Sequence, residues 1–287
     1  MTHYEKIKTL EKKANDIRID IIKMLEEAGA GHSAGPLGMA DIFTAMYFDI
    51  LKHNPKKPDW EDRDRLILSN GHIVPVRYVT MHHAGYDITR EELMTLRKLG
   101  SRLEGHPSVK RIPALETSSG PLGEGLSEAC GFAMARRLKG REQDYTIYVL
   151  MSDGEQQEGM TWEAAMFAGK QKFNNFVGII DRNNIQIDGF TEDIMPLEPL
   201  REKYEAFNWH VMEMNAHDMA EIISTVQEAK SVHQQPVLII AHTVPGKGVD
   251  FMENDYRWHG VPPGEGPEDK VPAKDQAKRA LEELEGK

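Results

Sequence analysis

The feature that most constrains this chain is an alternation, met twice, of short continuous apolar runs with stretches of helical spacing. YTIYVLM at 145–151 is followed by TWEAAMFAGKQK at 161–172 and NFVGIID at 175–181. WHVMEM at 209–214, a helical stretch over 218–233 and VLIIAH at 237–242 repeat the order. Strands that are apolar at every position are buried on both faces, and strands separated by helices run parallel. The pattern therefore predicts an α/β fold, a doubly wound, mainly parallel sheet with helices on both faces. RLILSNGH at 65–72 reads as one more buried strand, ending in a polar turn. Ligands of such sheets lie beyond the carboxyl ends of the strands.

Ahead of these runs, Ile7, Leu10, Ala14, Ile17, Ile21, Leu25 and Ala28 step by three and four, which predicts an amphipathic helix ending at the Gly-rich AGAGHSAGPLG of 28–38. A second helical stretch, MADIFTAMYFDIL, follows at once. A length of 287 residues suits one large domain, and 1–287 is read as such. The segment 243–267 is dense in Gly and Pro and long for a structureless loop, and its HG pair, aromatic and acidic residues point to a functional one. The tail, 270–287, reads as a short solvated helix.

Charge and cysteine usage exclude several classes. Acidic residues outnumber basic ones by 46 to 35, with no Lys/Arg cluster to meet a phosphate backbone or an anionic membrane. No apolar run reaches transmembrane length, and the N-terminus has neither the apolar core nor the cleavage site of a secretory signal. The lone Cys130 suits a reducing compartment, so a cytoplasmic protein is expected, with no nucleic-acid or membrane partner.

Asp153, in LMSDGEQQEG, and Asn183, in IDRNN, each fall just past a predicted strand, and one helix joins the two strands. They should be neighbours in space. A carboxylate, a side-chain amide and a main-chain carbonyl make a hard oxygen set, which suits Mg²⁺ or Ca²⁺ rather than zinc, and Mg²⁺ commonly completes its octahedron with phosphate oxygens. Gly154 would let a diphosphate approach the backbone, and the next helix would offer its N-terminal dipole. Ordinary βα turns account equally for an isolated Asp-Gly or Asn-Asn, and at this level both readings stand.

A resemblance goes further. SDG-EQQEG-x-TWEAA followed by NNFVGIIDRNNIQIDG resembles the thiamine-diphosphate motif in its transketolase form. GHSAGPLGMADIFTAMYFDILKHNP (31–55), DRDRLILSNGH (62–72), LEGHP (103–107), SSGPLGEGLSEACGFAMA (118–135) and FMENDYRWHG (251–260) are similar to transketolase sequences, in the same order. The resemblance implies thiamine diphosphate and Mg²⁺ as cofactors, with Ca²⁺ or Mn²⁺ as substitutes. It implies that Asp153, Asn183 and the carbonyl of Ile185 hold the metal, and that Gly154 meets the diphosphate. The backbone of Gly120-Pro121-Leu122 matches the loop against the aminopyrimidine, and Ile187 the apolar contact near the thiamine rings. His32, His72, His106 and His259 match histidines that line the channel over the thiazolium, steady the diphosphate, bind sugar hydroxyls and shuttle protons, with His72 and His259 also touching the cofactor. Imidazole suits that work because it titrates near working pH. The other eight of the twelve histidines default to structural or surface roles. Glu158 matches an interface glutamate that communicates with a partner's activating glutamate. One departure is Ser152, where the family motif has glycine; a positive φ there would disfavour serine.

Full-length transketolases continue into a pyrimidine-binding and a C-terminal domain, and this chain resembles only the first region. The resemblance therefore implies the N-terminal subunit of a split transketolase, active only with a C-terminal partner, expected as an α2β2 heterotetramer, and transferring a two-carbon ketol unit between sugar phosphates of the pentose phosphate pathway. Alone, the chain is expected to bind cofactor weakly and turn over nothing measurable. Rival readings are a component of a related enzyme, such as a dihydroxyacetone synthase or a 1-deoxyxylulose-5-phosphate synthase, and a non-catalytic scaffold of the same fold. An unrelated Mg²⁺-dependent phosphate enzyme would share the Asp-Gly turn but not GPLGEG or LSNGH.

Overall fold

The computed structural model describes residues 2–141 and 144–286. Its strands are β1 (Arg65–Leu68), β2 (Ile147–Ser152), β3 (Phe176–Arg182), β4 (Ile185–Gln186), β5 (Gly189–Phe190), β6 (His210–Asn215) and β7 (Val237–His242). Its α-helices are α1 (His3–Ala28), α2 (Ala34–Gly38), α3 (Ala40–Ala45), α4 (Val74–His83), α5 (Arg90–Leu93), α6 (Glu124–Leu138), α7 (Gly159–Gln171), α8 (Thr191–Ile194), α9 (Leu200–Ala206), α10 (Met219–Lys230) and α11 (Ala273–Glu285).

Five strands form one sheet in the order β1-β2-β3-β7-β6, every pair parallel. The chain steps outward from β1 to β2 to β3, reaches β6 at the edge, and returns to lay β7 between β3 and β6. Helices α6, α7 and α9, on the outward connections, cover one face, and α10, on the return to β7, covers the other together with α1, α3 and α4. Accordingly Leu126, Ala129 and Ala133 of α6, Ala164, Ala165 and Ala168 of α7, and Leu200 and Tyr204 of α9 pack with Ile147, Val149 and Met151 of β2. On the opposite face Tyr148 and Leu150 pack with a cluster drawn from α1, α3, α4 and α10. The alternation of side chains along a strand thus divides β2 between two cores, which is why its run is apolar throughout.

One sequence expectation is corrected. The tail is not simply solvated: Ala280 and Leu284 of α11 are buried in the α1-side core, and Asn15 of α1 donates to the Leu284 carbonyl at 2.8 Å. Residues 277, 280 and 284 recur at helical spacing, and small apolar residues on one stripe suffice to dock a helix. The segment 243–267 has local structure, in keeping with its length. It folds into successive turns around a short 3₁₀ segment, Tyr256–Trp258, with Val249, Phe251, Met252 and Trp258 buried.

Candidate functional site

The carboxyl ends of the parallel strands share one edge of the sheet. β1 runs into Ser69-Asn70-Gly71-His72, β2 into Asp153-Gly154, β3 into Asn183-Asn184, and β7 into Thr243-Val244. The β2–β3 register sets Ser152 beside Asp181. Asp153 and Asn183 are therefore brought to neighbouring strand ends, as their spacing predicts.

Asp153 is 0% exposed. Its Oδ1 accepts from the Gly154 amide at 2.7 Å, and its Oδ2 accepts from the Asn184 amide at 2.6 Å and from Arg182 Nη1 at 3.2 Å. Burial pushes its carboxyl up to about 6, against the pull of Arg182 and the two amides. Asn183 Nδ2 donates to Asp181 Oδ2 at 2.9 Å, and its Oδ1 accepts from the Ile185 amide at 3.0 Å. Asp181 also accepts from Thr243 Oγ1; burial, with Asp153 nearby, raises it to about 7. Burial pushes both carboxyls toward protonation, and Arg182 beside Asp153 pulls the other way.

The described residues contain no cluster of three or more His, Cys, Asp or Glu side chains suited to a metal. A cation here would depend on a carboxylate, an amide oxygen and a main-chain carbonyl, the donor set that hard divalent ions take. Asp153, Asn183 and Ile185 fit that requirement. Gly154 opens a 3₁₀ turn, Gly154–Gln157, before α7 begins at Gly159, so the expected helix N-terminus does not directly follow it. A Cβ at Gly154 would meet only Gln186, at an ordinary 3.6 Å. Ser152 is the last residue of β2 and its φ is not positive, so serine is unstrained there.

Three histidines meet from distant parts of the chain. The ring centroids of His32 and His72 are 4.8 Å apart, those of His32 and His259 5.5 Å, and those of His72 and His259 5.4 Å. His32 precedes α2, His72 lies in a 3₁₀ turn after β1, and His259 follows the Tyr256–Trp258 turn. Ser33 fastens the first loop to the third, its Oγ facing the carbonyls of Val261 at 2.7 Å and Trp258 at 3.3 Å. His106 is exposed and lies against Gly120, where a Cβ would come within 3.7 Å of its ring. Burial, then neighbouring His259, Arg97 and His106, lowers His32 to about 3; burial lowers His259 to about 4. His72 and His106 are lowered by the same cause. Neutral rings each keep one donor and one acceptor nitrogen, and His259 Nδ1 is buried without a partner.

The remaining expected residues are at least partly exposed. Pro121 and Glu158 are exposed, Gly120 and Leu122 half-buried, and Ile187 is 67% exposed. Of the histidines set aside, His53 meets Tyr86 and the Tyr47 carbonyl, His83 meets Asp20, and His242 pairs with Glu213. His217 bridges Asp41 and the Val244 amide, each at 2.8 Å.

Two residues of the site escape sequence reasoning. Glu155, fully buried, accepts from Ser69, Gly123 and Ser152, whereas nothing local distinguishes it from the exposed Glu158. Arg182 is buried among Asp153, Thr191, Glu192 and Glu198. Its one local sign is a cation between two polar residues at a strand end.

Residues 9–276 match the family described as the thiamine diphosphate binding domain of transketolase. The chain is 44% identical over 266 residues to one of the subunits of the apulose-4-phosphate transketolase of Phocaeicola vulgatus, covering 92% of this chain and 93% of that one. It is 38% identical to the 6-deoxy-6-sulfo-D-fructose transketolase subunit SqwG of Clostridium sp., covering 88% and 90%. A transketolase crystal structure from Campylobacter jejuni superposes with a TM-score of 0.84 at 36% identity, covering 97% of this chain but 46% of that one. The chain belongs to the transketolase family, as its thiamine-diphosphate-binding part. It matches the separately encoded subunits over nearly their whole length, and less than half of that full-length transketolase.

Proposed function

We propose that this chain is the N-terminal, diphosphate-binding subunit of a split transketolase, which with a partner moves a two-carbon ketol unit from a ketose to an aldose. The observation that carries the reading is the convergence of His32, His72 and His259 on the strand-end edge that also holds Asp153 and Asn183.

Asp153, Asn183 and the Ile185 carbonyl would hold Mg²⁺, with Ca²⁺ or Mn²⁺ acceptable to the same oxygen set. Gly154, His72 and His259 would meet the diphosphate, the Gly120–Leu122 backbone the aminopyrimidine, and Ile187 the thiamine rings. Thiamine diphosphate, when bound, supplies the nucleophilic carbon and the electron sink for cleaving and remaking the carbon–carbon bond. His32 and His106 bind sugar hydroxyls and carry protons to and from them. Burial keeps both rings neutral, which supports the hydroxyl-binding part of this role, because a neutral ring offers one donor and one acceptor nitrogen.

Activation of the cofactor's ring belongs to a partner carrying the pyrimidine-binding and C-terminal domains, in an α2β2 assembly where Glu158 faces that partner. Exposed Glu158 and Ile187 support this placement. The relatives' names support a ketose bearing a terminal anion, phosphate or sulfonate. A cytoplasmic location completes the reading, supported by the lone, buried Cys130.

The test assays the chain with thiamine diphosphate, Mg²⁺ and a ketose–aldose phosphate pair, with and without the polypeptide encoded beside it. Turnover is expected only with both; full activity of this chain alone overturns the split reading. Thiamine diphosphate, unlike ATP, should raise the melting temperature in a Mg²⁺-dependent way.

A further inference from the structure

Helix α6 begins without a cap of its own. Its N-cap residue is Gly123, at φ +87° and with no side chain to accept from the first turn. The amides of a first helical turn need acceptors from somewhere. Here they come from two other strand ends. Gly123 N–H donates to Glu155 Oε1 at 2.7 Å, Gly125 N–H donates to Ser69 Oγ at 3.1 Å, and the Ser69 hydroxyl donates in turn to Glu155 Oε1. The other oxygen, Oε2, accepts from the Ser152 amide at 3.0 Å. Gly125 is packed so closely on Ser69 that a Cβ would collide with that side chain.

Glu155 is 0% exposed, and no cation is among these partners. Its charge is met by three hydrogen-bond donors and by the positive end of the α6 dipole, an arrangement in which each bond is charge-assisted. Each donor stands beside a part of the proposed cofactor site. Ser69 is three residues before His72, Gly123 directly follows Gly120-Pro121-Leu122, and Ser152 directly precedes Asp153.

We infer that Glu155 is a positioning residue: it locks the aminopyrimidine loop, the His72 turn and the metal-holding strand end in one fixed relation. The inference rests on the proposed cofactor site. Loss of the carboxylate frees three loops at once, so it acts on cofactor affinity beyond its effect on the fold.

The test titrates the chain, paired with the polypeptide encoded beside it, with thiamine diphosphate at saturating Mg²⁺ by calorimetry, comparing Glu155→Gln, Ser69→Ala and Ile222→Ala, the last on α10 across the sheet. A glutamine turns an –NH₂ toward one of the donors and cannot accept from all three. The dissociation constant should rise about tenfold or more in Glu155→Gln and less in Ser69→Ala. It should stay unchanged in Ile222→Ala even though that variant melts lower. Should Glu155→Gln not fold, Ser69→Ala decides on the same comparison. Wild-type binding with an unaltered constant in the Glu155 and Ser69 variants, or an equal loss in Ile222→Ala, overturns the inference alone. No thiamine diphosphate binding by the wild-type pair overturns the cofactor site and the inference with it.

Discussion

The guanidinium of Arg182 lies 3.2 Å from Asp153 Oδ2, so the buried carboxylate proposed to hold a metal already has one cation beside it. The same guanidinium reaches Thr191 at 2.9 Å, Glu192 at 2.7 Å and Glu198 at 2.9 Å. Arg182 thus ties the strand end to the segment after β5.

Removing that cation strands a buried charge. Arg182→Gln should lower unfolding free energy without ligands by about 3 kcal/mol, as when one partner of a buried pair is deleted. Mg²⁺ with thiamine diphosphate should then raise the melting temperature more in the variant than in the wild type, because the divalent ion takes over the neutralisation. Calorimetric melting with and without both ligands measures this, and an equal or smaller rise contradicts it.

The histidine cluster makes the ligand-free chain acid-sensitive. His32 and His259 are held down to about 3 and about 4, chiefly by burial, against an ordinary value of 6.5. Between those limits the unfolded chain binds protons that the native chain refuses, so stability rises with pH across that window. The full contribution is present above pH ~6.5 and is lost as pH falls toward ~4. His259→Asn should flatten the dependence by on the order of 2 kcal/mol, read from urea unfolding at stepped pH. An unchanged slope refutes the assignment.

His217 accepts from the Val244 amide, which requires its proton on the nitrogen that faces Asp41. Asp41 is in turn bonded by Arg18, which also reaches the Leu37 carbonyl. His217→Ala should cost about 1–2 kcal/mol and speed hydrogen exchange at the Val244 amide. Unaltered exchange there would show that the imidazole does not hold the segment.

Glu158 is exposed in the isolated chain. Glu158→Ala should leave the melting temperature within the range of an ordinary surface change, ~0.5 kcal/mol. In the reconstituted pair it should reduce turnover about tenfold or more, the scale of a lost outer-shell contact. A variant as active as the wild type in the pair would place Glu158 outside the interface.

The sheet strands are legible because a strand divided between two cores must be apolar at both parities, as Tyr148 and Val149 are. The place of β7 is not, since insertion between β3 and β6 follows from crossover direction rather than from any residue. The placement of Asp153 and Asn183 at neighbouring strand ends is legible because each follows an apolar run and one helix joins the two runs. Glu155 is not, because its burial is made by Ser69 and Gly123, remote in sequence. The role of α11 is missed for a related reason: Ala277 and Ala280 are too small to stand out as apolar anchors among charged neighbours.

The return of β7 into the gap between β3 and β6 is what closes the sheet. Until β7 arrives, β3 is an edge strand with unpaired backbone groups, and such edges invite pairing with other chains. β7 leads directly to Thr243, the partner of Asp181, and onward to His259. β7 therefore both closes the sheet and carries Thr243 and His259 to the strand-end edge, so a chain truncated before β7 loses that side of the site and leaves β3 as an exposed edge.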